Sequence, residues 1–223
     1  MDTPKLRTLR RAIETYISGK RLAHTLSVEA ECEALAECYG MDPDSAEDLC
    51  TAALLHDITK EIKTDGQIEL CRRFHISYDV CDLLSPKVFH ARTAAALAAC
   101  DFPDLVNDTI CDAIRCHTTG RENMTLTDKL LYLADYIEPT RTWEDCVKLR
   151  ERFYHDIRRI DARKCTDPSA ERLAVLDRTL ILSFDMTIRA LLTEGSVIAV
   201  QTIVSRNALI AGQTHPRLSE TAV

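Results

Sequence analysis

Apolar residues recur every three or four positions along almost the whole chain, and no stretch of useful length alternates. Leu6, Leu9, Ile13 and Ile17 begin the pattern, and Leu173, Leu176, Leu180, Phe184, Ile188, Leu191 and Leu192 carry it through its longest run. This spacing lines apolar side chains along one face of a helix, which must then bury that face against other helices. The punctuation agrees. Gly40 stands after the helix expected over 20–39, where Leu22, Leu26 and Leu35 face inward; Pro43 follows Asp42 as a first helical residue; Pro139 ends the run from 125 to 138. Further helices are expected at 4–17, 43–57, 64–74, 87–100, 104–117, 169–193 and from 202 onwards, with a short segment at 79–84. The stretch 155–168 reads as a weak helix or a mobile connection, and 197–200 is the one strand candidate. The expected fold class is all-α, a single bundle of roughly nine or ten helices.

Composition enters for what it excludes. The net charge of -7 gives no general pull on nucleic acid or an acidic membrane, so any phosphate binding has to be local. No segment approaches the length of a membrane span, and Met1-Asp-Thr-Pro-Lys-Leu-Arg7 has no apolar signal core. The ten cysteines are scattered without a C-x-x-C pair. Free thiols in a reducing cytoplasm are the expectation, with several serving as small core hydrophobes.

Inside the apolar stripes stand a few polar residues that a plain core would not tolerate. Ala53-Leu54-Leu55 runs directly into His56-Asp57, and Lys60 follows about one helical turn later. His24 falls between Leu22 and Leu26, and Asp135 beside Leu133 and Ala134. Buried without partners, such groups cost several kcal/mol each. A divalent ion held by His24, His56, Asp57 and Asp135 resolves the problem, provided three helices pack around one point. Nitrogen and oxygen donors without thiolate suit iron, manganese, zinc, nickel or magnesium and do not choose among them. Such an ion lowers the pKa of bound water. His90 and His117, each near a helix end, supply either a second ion bridged by Asp57 or hydrogen bonds to a phosphate. Lys60 and Arg141 lie just past ligand-bearing helix ends, where phosphate oxygens need neutralising. Each has a blander reading: Lys60 as a helix C-terminal lysine, Arg141 as a surface arginine, His24 as a hydrogen-bonded core histidine. His75, His155 and His215 have no comparable surroundings and read as structural or exposed.

Four motifs in order carry a resemblance. Arg21-Leu-Ala-His24-Thr-Leu-Ser-Val-Glu29, Ala53-Leu-Leu-His-Asp-Ile-Thr-Lys60, His117-Thr-Thr-Gly-Arg121 and Leu133-Ala-Asp-Tyr-Ile-Glu-Pro139, the last followed by Arg141, resemble the YqeK family of HD-domain metal-dependent phosphohydrolases. The likeness runs from about residue 6 to about 211, where Thr202-Ile-Val-Ser-Arg-Asn207 is similar to the family's closing segment. It implies one HD-type domain over 1–223, with a metal-binding core at about 18–142, C-terminal helices at about 144–211 and a tail from 212 to 223. It also implies an iron-type ion, one or two in number, on His24, His56, Asp57 and Asp135. Lys60, His90, His117, Thr118 and Arg141 would line the nucleotide phosphates, with His24 and Asp135 also in contact. Lys60, His90, His117 and Arg141 are the expected catalytic groups. One departure stands out: after His90 the family tends towards a Gly-Pro turn, whereas this chain has Ala91-Arg92-Thr93-Ala94.

The family's activity is symmetrical hydrolysis of bis(5'-nucleosyl) tetraphosphates, so the expected reaction splits diadenosine tetraphosphate into two ADP by metal-activated water. The expected partner is a small nucleotide, not nucleic acid or membrane, and the oligomeric state is left open. Three other readings compete. They are an HD-type phosphatase for nucleoside monophosphates or guanosine tetraphosphate, a non-catalytic nucleotide sensor, and a helical interaction domain with a structural metal.

Overall fold

The computed structural model describes residues 1–163 and 167–214. Its helices are α1 (Pro4–Ala12), α2 (Gly19–Cys38), α3 (Pro43–Leu55), α4 (Thr64–Arg73), α5 (Val80–Leu84), α6 (Phe89–Asp101), α7 (Asp108–Cys116), α8 (Leu126–Ile137), α9 (Glu144–Asp161), α10 (Pro168–Thr193) and α11 (Val200–Thr214). Among the described residues there is no strand, so the all-α expectation holds. The eleven α-helices of the described residues exceed the nine or ten expected, because 79–84 forms a true short helix and the chain after Trp143 a long one.

The central helix is α3, which packs on α1, α2, α6, α7 and α8. Its sequence demands this. Leu49, Cys50, Ala52, Ala53, Leu54 and Leu55 are all completely buried, so apolar residues surround the helix and no face can be left to water. Its start is well specified: Pro43 occupies the first turn, and the Asp42 side chain accepts a bond from the Ser45 N–H at 3.0 Å. In α8, Leu130, Leu133, Ala134 and Ile137 form the inward face. Its entry is a capping box of Thr125 and Asp128, and Arg121 holds the Asp128 carboxylate at 2.7 Å.

Several expectations need correcting. The 155–168 stretch is no weak connection in its first half, because α9 continues to Asp161. Cys146, Leu149, Phe153, Ile157 and Ile160 make a buried stripe at helical spacing, hidden in the sequence by charged residues on the other faces. Of the tail expected from 212, residues 212–214 belong to α11; residues 164–166 and those from His215 onwards lie outside the described residues. The strand candidate at 197–200 instead leads into α11. Leu26, Leu173 and Leu192 were expected inside yet are exposed. The α10 stripe leaves the core after Phe184, beyond which its residues are half-buried or exposed.

The nine cysteines in the described residues are free thiols, six of them buried. No helix is long and apolar enough to cross a membrane.

Gly120 ends the turn after α7 that presents His117 and Thr118. Its φ is +68°, and a Cβ there would sit 2.8 Å from Phe184 Cζ and from both side-chain atoms of Ser205. Gly120→Ala therefore combines a left-handed backbone with a clash into α10 and α11, a loss of about 3 kcal/mol or more. Denaturant unfolding of the purified variant measures it; an unshifted midpoint contradicts the packing described.

Candidate metal centre

Four histidines converge on one carboxylate. His56 is the C-terminal cap residue of α3, carried inward by that helix's apolar face, and Asp57 follows in the turn; both are buried. His24 comes from the first half of α2, His90 from the first turn of α6, and His117 caps α7. Asp57 Oδ2 lies 3.4 Å from His56 Nε2 and 3.7 Å from His24 Nε2, while Oδ1 lies 3.3 Å from His90 Nε2 and 3.7 Å from His117 Nε2. Asp135, from α8, places Oδ1 3.0 Å from His24 Nε2 and 3.9 Å from His56 Nε2.

The opposite nitrogen of each ring explains the convergence. Nδ1 donates to the Ala53 carbonyl in His56 (2.6 Å), to Lys87 in His90 (2.5 Å) and to Ile114 in His117 (2.7 Å), and in His24 to Glu138 Oε1 (3.0 Å). These oxygens accept, so each Nδ1 carries a hydrogen and each ring turns its Nε2 towards the carboxylates of Asp57 and Asp135. His24 Nε2, His56 Nε2 and Asp57 Oδ1 are buried without any hydrogen-bond partner. Buried polar atoms left in that state are costly. Donor atoms of His24, His56 and Asp135, and those of His56, Asp57 and His117, fall within 4.8 Å of one another, as metal ligands must. The donor set therefore fits a divalent ion.

Burial pulls the carboxyls of Asp57 and Asp135 up in pKa, but their neighbours outweigh it. His56, His90 and Lys60 hold Asp57 well below the usual carboxylate range, and His24, Arg141 and His56 do the same for Asp135. His90 and His117 are shifted the other way by burial, with Lys60 opposing a charge on His90 and the other two imidazoles opposing one on His117. Cations flank the donor group on both sides. At one end Lys60 Nζ lies 2.9 Å from His90 Nε2, and Thr118 Oγ1 is 3.2 Å from the Nε2 atoms of both His90 and His117. At the other end Arg141 Nη2 bonds Asp135 Oδ1 at 2.7 Å, and Arg21 Nη1 bonds Asp57 Oδ2 at 2.6 Å. All nine residues singled out in the sequence thus stand around one point. His75 and His155 are exposed and do not join them.

Sequence reasoning left out three groups. Arg21 sits one turn before His24 and reads as an ordinary surface cation until α2 packs beside the His-Asp turn. Gln67 is a buried polar residue of α4. It donates to the Thr59 carbonyl at 2.6 Å and accepts from Thr93 Oγ1 at 2.5 Å, while Thr59 Oγ1 donates to the His90 carbonyl at 2.9 Å. This network locks α6 to the turn after α3. Its Thr93 lies in the segment that replaces the family's Gly-Pro turn, and His90 keeps its place. Glu138 is the third: fully buried, it takes bonds from His24 Nδ1 and, at 2.6 Å each, from the Thr140 N–H and hydroxyl. These bonds outweigh burial and hold its carboxyl down at about 2. The available signal was a second carboxylate three residues after Asp135, directly before a proline. Because Glu138 orients His24, Glu138→Gln is expected to weaken divalent-ion affinity about 10- to 100-fold. Competition with a calibrated chelator reads this, and unchanged affinity removes the orienting role.

A helical bundle that gathers histidine and aspartate donors in this way, with cations on both flanks, defines a metal-dependent phosphohydrolase. Known proteins agree. The HD domain model matches residues 21–140, and the chain belongs to the HD-domain family, in the YqeK branch its motifs resemble. A Bacillus subtilis protein named "Bis(5'-nucleosyl)-tetraphosphatase, symmetrical" is 28% identical over 200 residues, covering 90% of this chain and 95% of its own. A Staphylococcus aureus protein of the same name is 31% identical over 146 residues, covering 66% and 73%. Among solved structures, a predicted HD superfamily hydrolase involved in NAD metabolism from Clostridium acetobutylicum superposes with a TM-score of 0.76 at 28% identity, over 92% of this chain and 96% of that one. The chain is a hydrolase.

Proposed function

We propose that the chain, acting as a single domain in the cytoplasm, splits dinucleoside tetraphosphates symmetrically, converting diadenosine tetraphosphate into two ADP with iron as its native ion. One observation carries this reading: a compact donor group has cations at both ends, Lys60 beside His90 and His117, and Arg21 and Arg141 beside His24 and Asp135. A four-phosphate chain cut at its centre extends two phosphates to either side, and this arrangement offers positive charge in both directions. The activity in the names of the Bacillus and Staphylococcus relatives supports the same substrate.

His24, His56, Asp57 and Asp135 would hold the ion, which supplies Lewis acidity at a phosphoryl oxygen and lowers the pKa of water at the site. Lys60 and Arg141 bind phosphoryl oxygens and stabilise the charge that grows on them during in-line displacement. Arg141 is pre-oriented for this, because Nη2 and Nε are fixed on the Asp135 carboxylate and carbonyl. Thr118 adds a hydroxyl between the two histidines. Neutral His90 and His117 face the phosphates with Nε2 as acceptor, so either must take up a proton there before giving one to the leaving oxygen. Lys60 also argues for phosphate, not a second ion, at this end, since its ammonium already occupies the approach to His90 Nε2.

Purified protein given ferrous iron is expected to release ADP as the sole nucleotide product. AMP together with ATP, or no turnover, overturns the symmetrical reading. Orthophosphate from a nucleoside monophosphate, or pyrophosphate from guanosine tetraphosphate, moves the assignment to another HD-type substrate. Elemental analysis of protein purified without added metal tests the iron assignment.

A further inference from the structure

We propose that Trp143 is the stacking platform for one nucleobase of the substrate, at the outer end of a recess that begins at His24. This rests on the dinucleotide reading above and adds a base site to it. The recess, about 300 Å³, lies between the start of α2 and the loop after α8, and its lining includes Lys20, Arg21, His24, Arg141 and Trp143. That volume is at the lower limit for small-molecule sites, about 300–1,000 Å³. Its two carboxylates are engaged elsewhere: Glu61 accepts from the Ser18 N–H, and Glu138 from His24 and Thr140. Three cations, Lys20, Arg21 and Arg141, line the recess with these two carboxylates, a balance that suits a phosphate leading outward from the donor group.

Core packing does not account for Trp143. It is 70% exposed, although it is the chain's only tryptophan and one of its largest apolar side chains. It occupies the N-cap of α9 without making a capping bond, at a position where serine, threonine, aspartate or asparagine is favoured. The loop that carries it is nevertheless built firmly. Arg150 donates to the carbonyls of Ile137, Glu138 (2.6 Å) and Arg141 (2.8 Å). Arg141 then links the ring to the metal centre, with Cζ 5.8 Å from the indole centroid while Nη2 holds Asp135. An exposed indole beside an arginine that also reaches a phosphate site is the pairing used to hold a base by stacking and its phosphate by charge.

Because Trp143 is the only tryptophan, emission excited at the red edge, where purines do not absorb, reports on this site alone. The probes are ADP and inorganic tripolyphosphate, each titrated into metal-loaded protein with binding confirmed by calorimetry. ADP is expected to quench the emission and shield the ring from acrylamide, whereas tripolyphosphate, having no base, leaves both unchanged. Trp143→Ala is expected to raise KM for diadenosine tetraphosphate about tenfold, the effect falling on KM and not kcat, with Trp143→Phe restoring most of it. ADP binding without quenching or shielding, equal responses to both probes, or an unaltered KM in Trp143→Ala overturns the proposal. Should diadenosine tetraphosphate not be split at all, the dinucleotide reading fails, and the emission of Trp143 with ADP still decides the base site.

Discussion

Asp57→Asn is expected to lose its divalent ion and to fall by about a thousandfold or more in kcat/KM while remaining folded. Asp57 is the side chain that brings the four Nε2 atoms into one group, since each lies within 4 Å of one of its oxygens. It also anchors Arg21 at 2.6 Å. Asparagine keeps the shape but removes the charge and replaces one acceptor with an NH₂ that points hydrogens at lone pairs and cations. Stability should change less than activity. His90 and His117 are already disfavoured as cations by burial, so the charge lost does not leave a set of buried imidazoliums unpaired. Metal content, circular dichroism and turnover on one preparation separate the outcomes. Retained metal with retained turnover rejects Asp57 as a ligand. A wild-type chain that binds ADP yet never turns over, matched by an Asp57→Asn variant that binds it equally, would replace the enzyme with a sensor.

How much of this was legible in the sequence depends on where each residue's partners lie. His24, His56, Asp57 and Asp135 stood out because each interrupts or abuts an apolar stripe, and helical periodicity alone says that such residues go inward. The same logic failed for Leu26 and Leu192, which share a stripe with buried residues but face no neighbouring helix. Periodicity reports which face is apolar, and not how far a partner helix covers it. Arg21 and Glu138 were not legible for a related reason. Each lies at or beyond a helix end, where charged residues are ordinary; Arg21 acquires its role only when α2 packs beside α3 and its His-Asp turn, and Glu138 only when α2 packs on α8. In α9 the obstacle was different: charges at most positions diluted a stripe that Leu149, Phe153 and Ile157 define clearly once burial is known. Lys60 and Arg141 were ambiguous one at a time. Their distances to His90 and Asp135 put both beside the donor group.

Lys60→Ala is expected to lower kcat by about 10²- to 10³-fold with the divalent ion still bound. Lys60 follows the His-Asp turn, its Nζ 3.9 Å from Asp57 Oδ1 and 2.9 Å from His90 Nε2. Burial leaves its pKa below that of an ordinary lysine, and Asp57 and Asp135 oppose the shift, so the same carboxylates that serve the ion favour its charged form. An ammonium so placed gains most when negative charge builds on a phosphoryl oxygen, because surrounding protein screens it less than water would. The competing account treats Lys60 as a helix-end cation that complements the α3 dipole. It allows a stability loss of about 0.3–1 kcal/mol and no effect on turnover. Lys60→Arg discriminates further: a planar guanidinium keeps the charge but not the compact reach past His90, so partial recovery of kcat is expected. Turnover, metal content and melting temperature measured together decide the matter. A fall in kcat that tracks loss of metal makes Lys60 a support for Asp57. Full activity in Lys60→Ala, with only a small drop in melting temperature, returns it to the helix-end role.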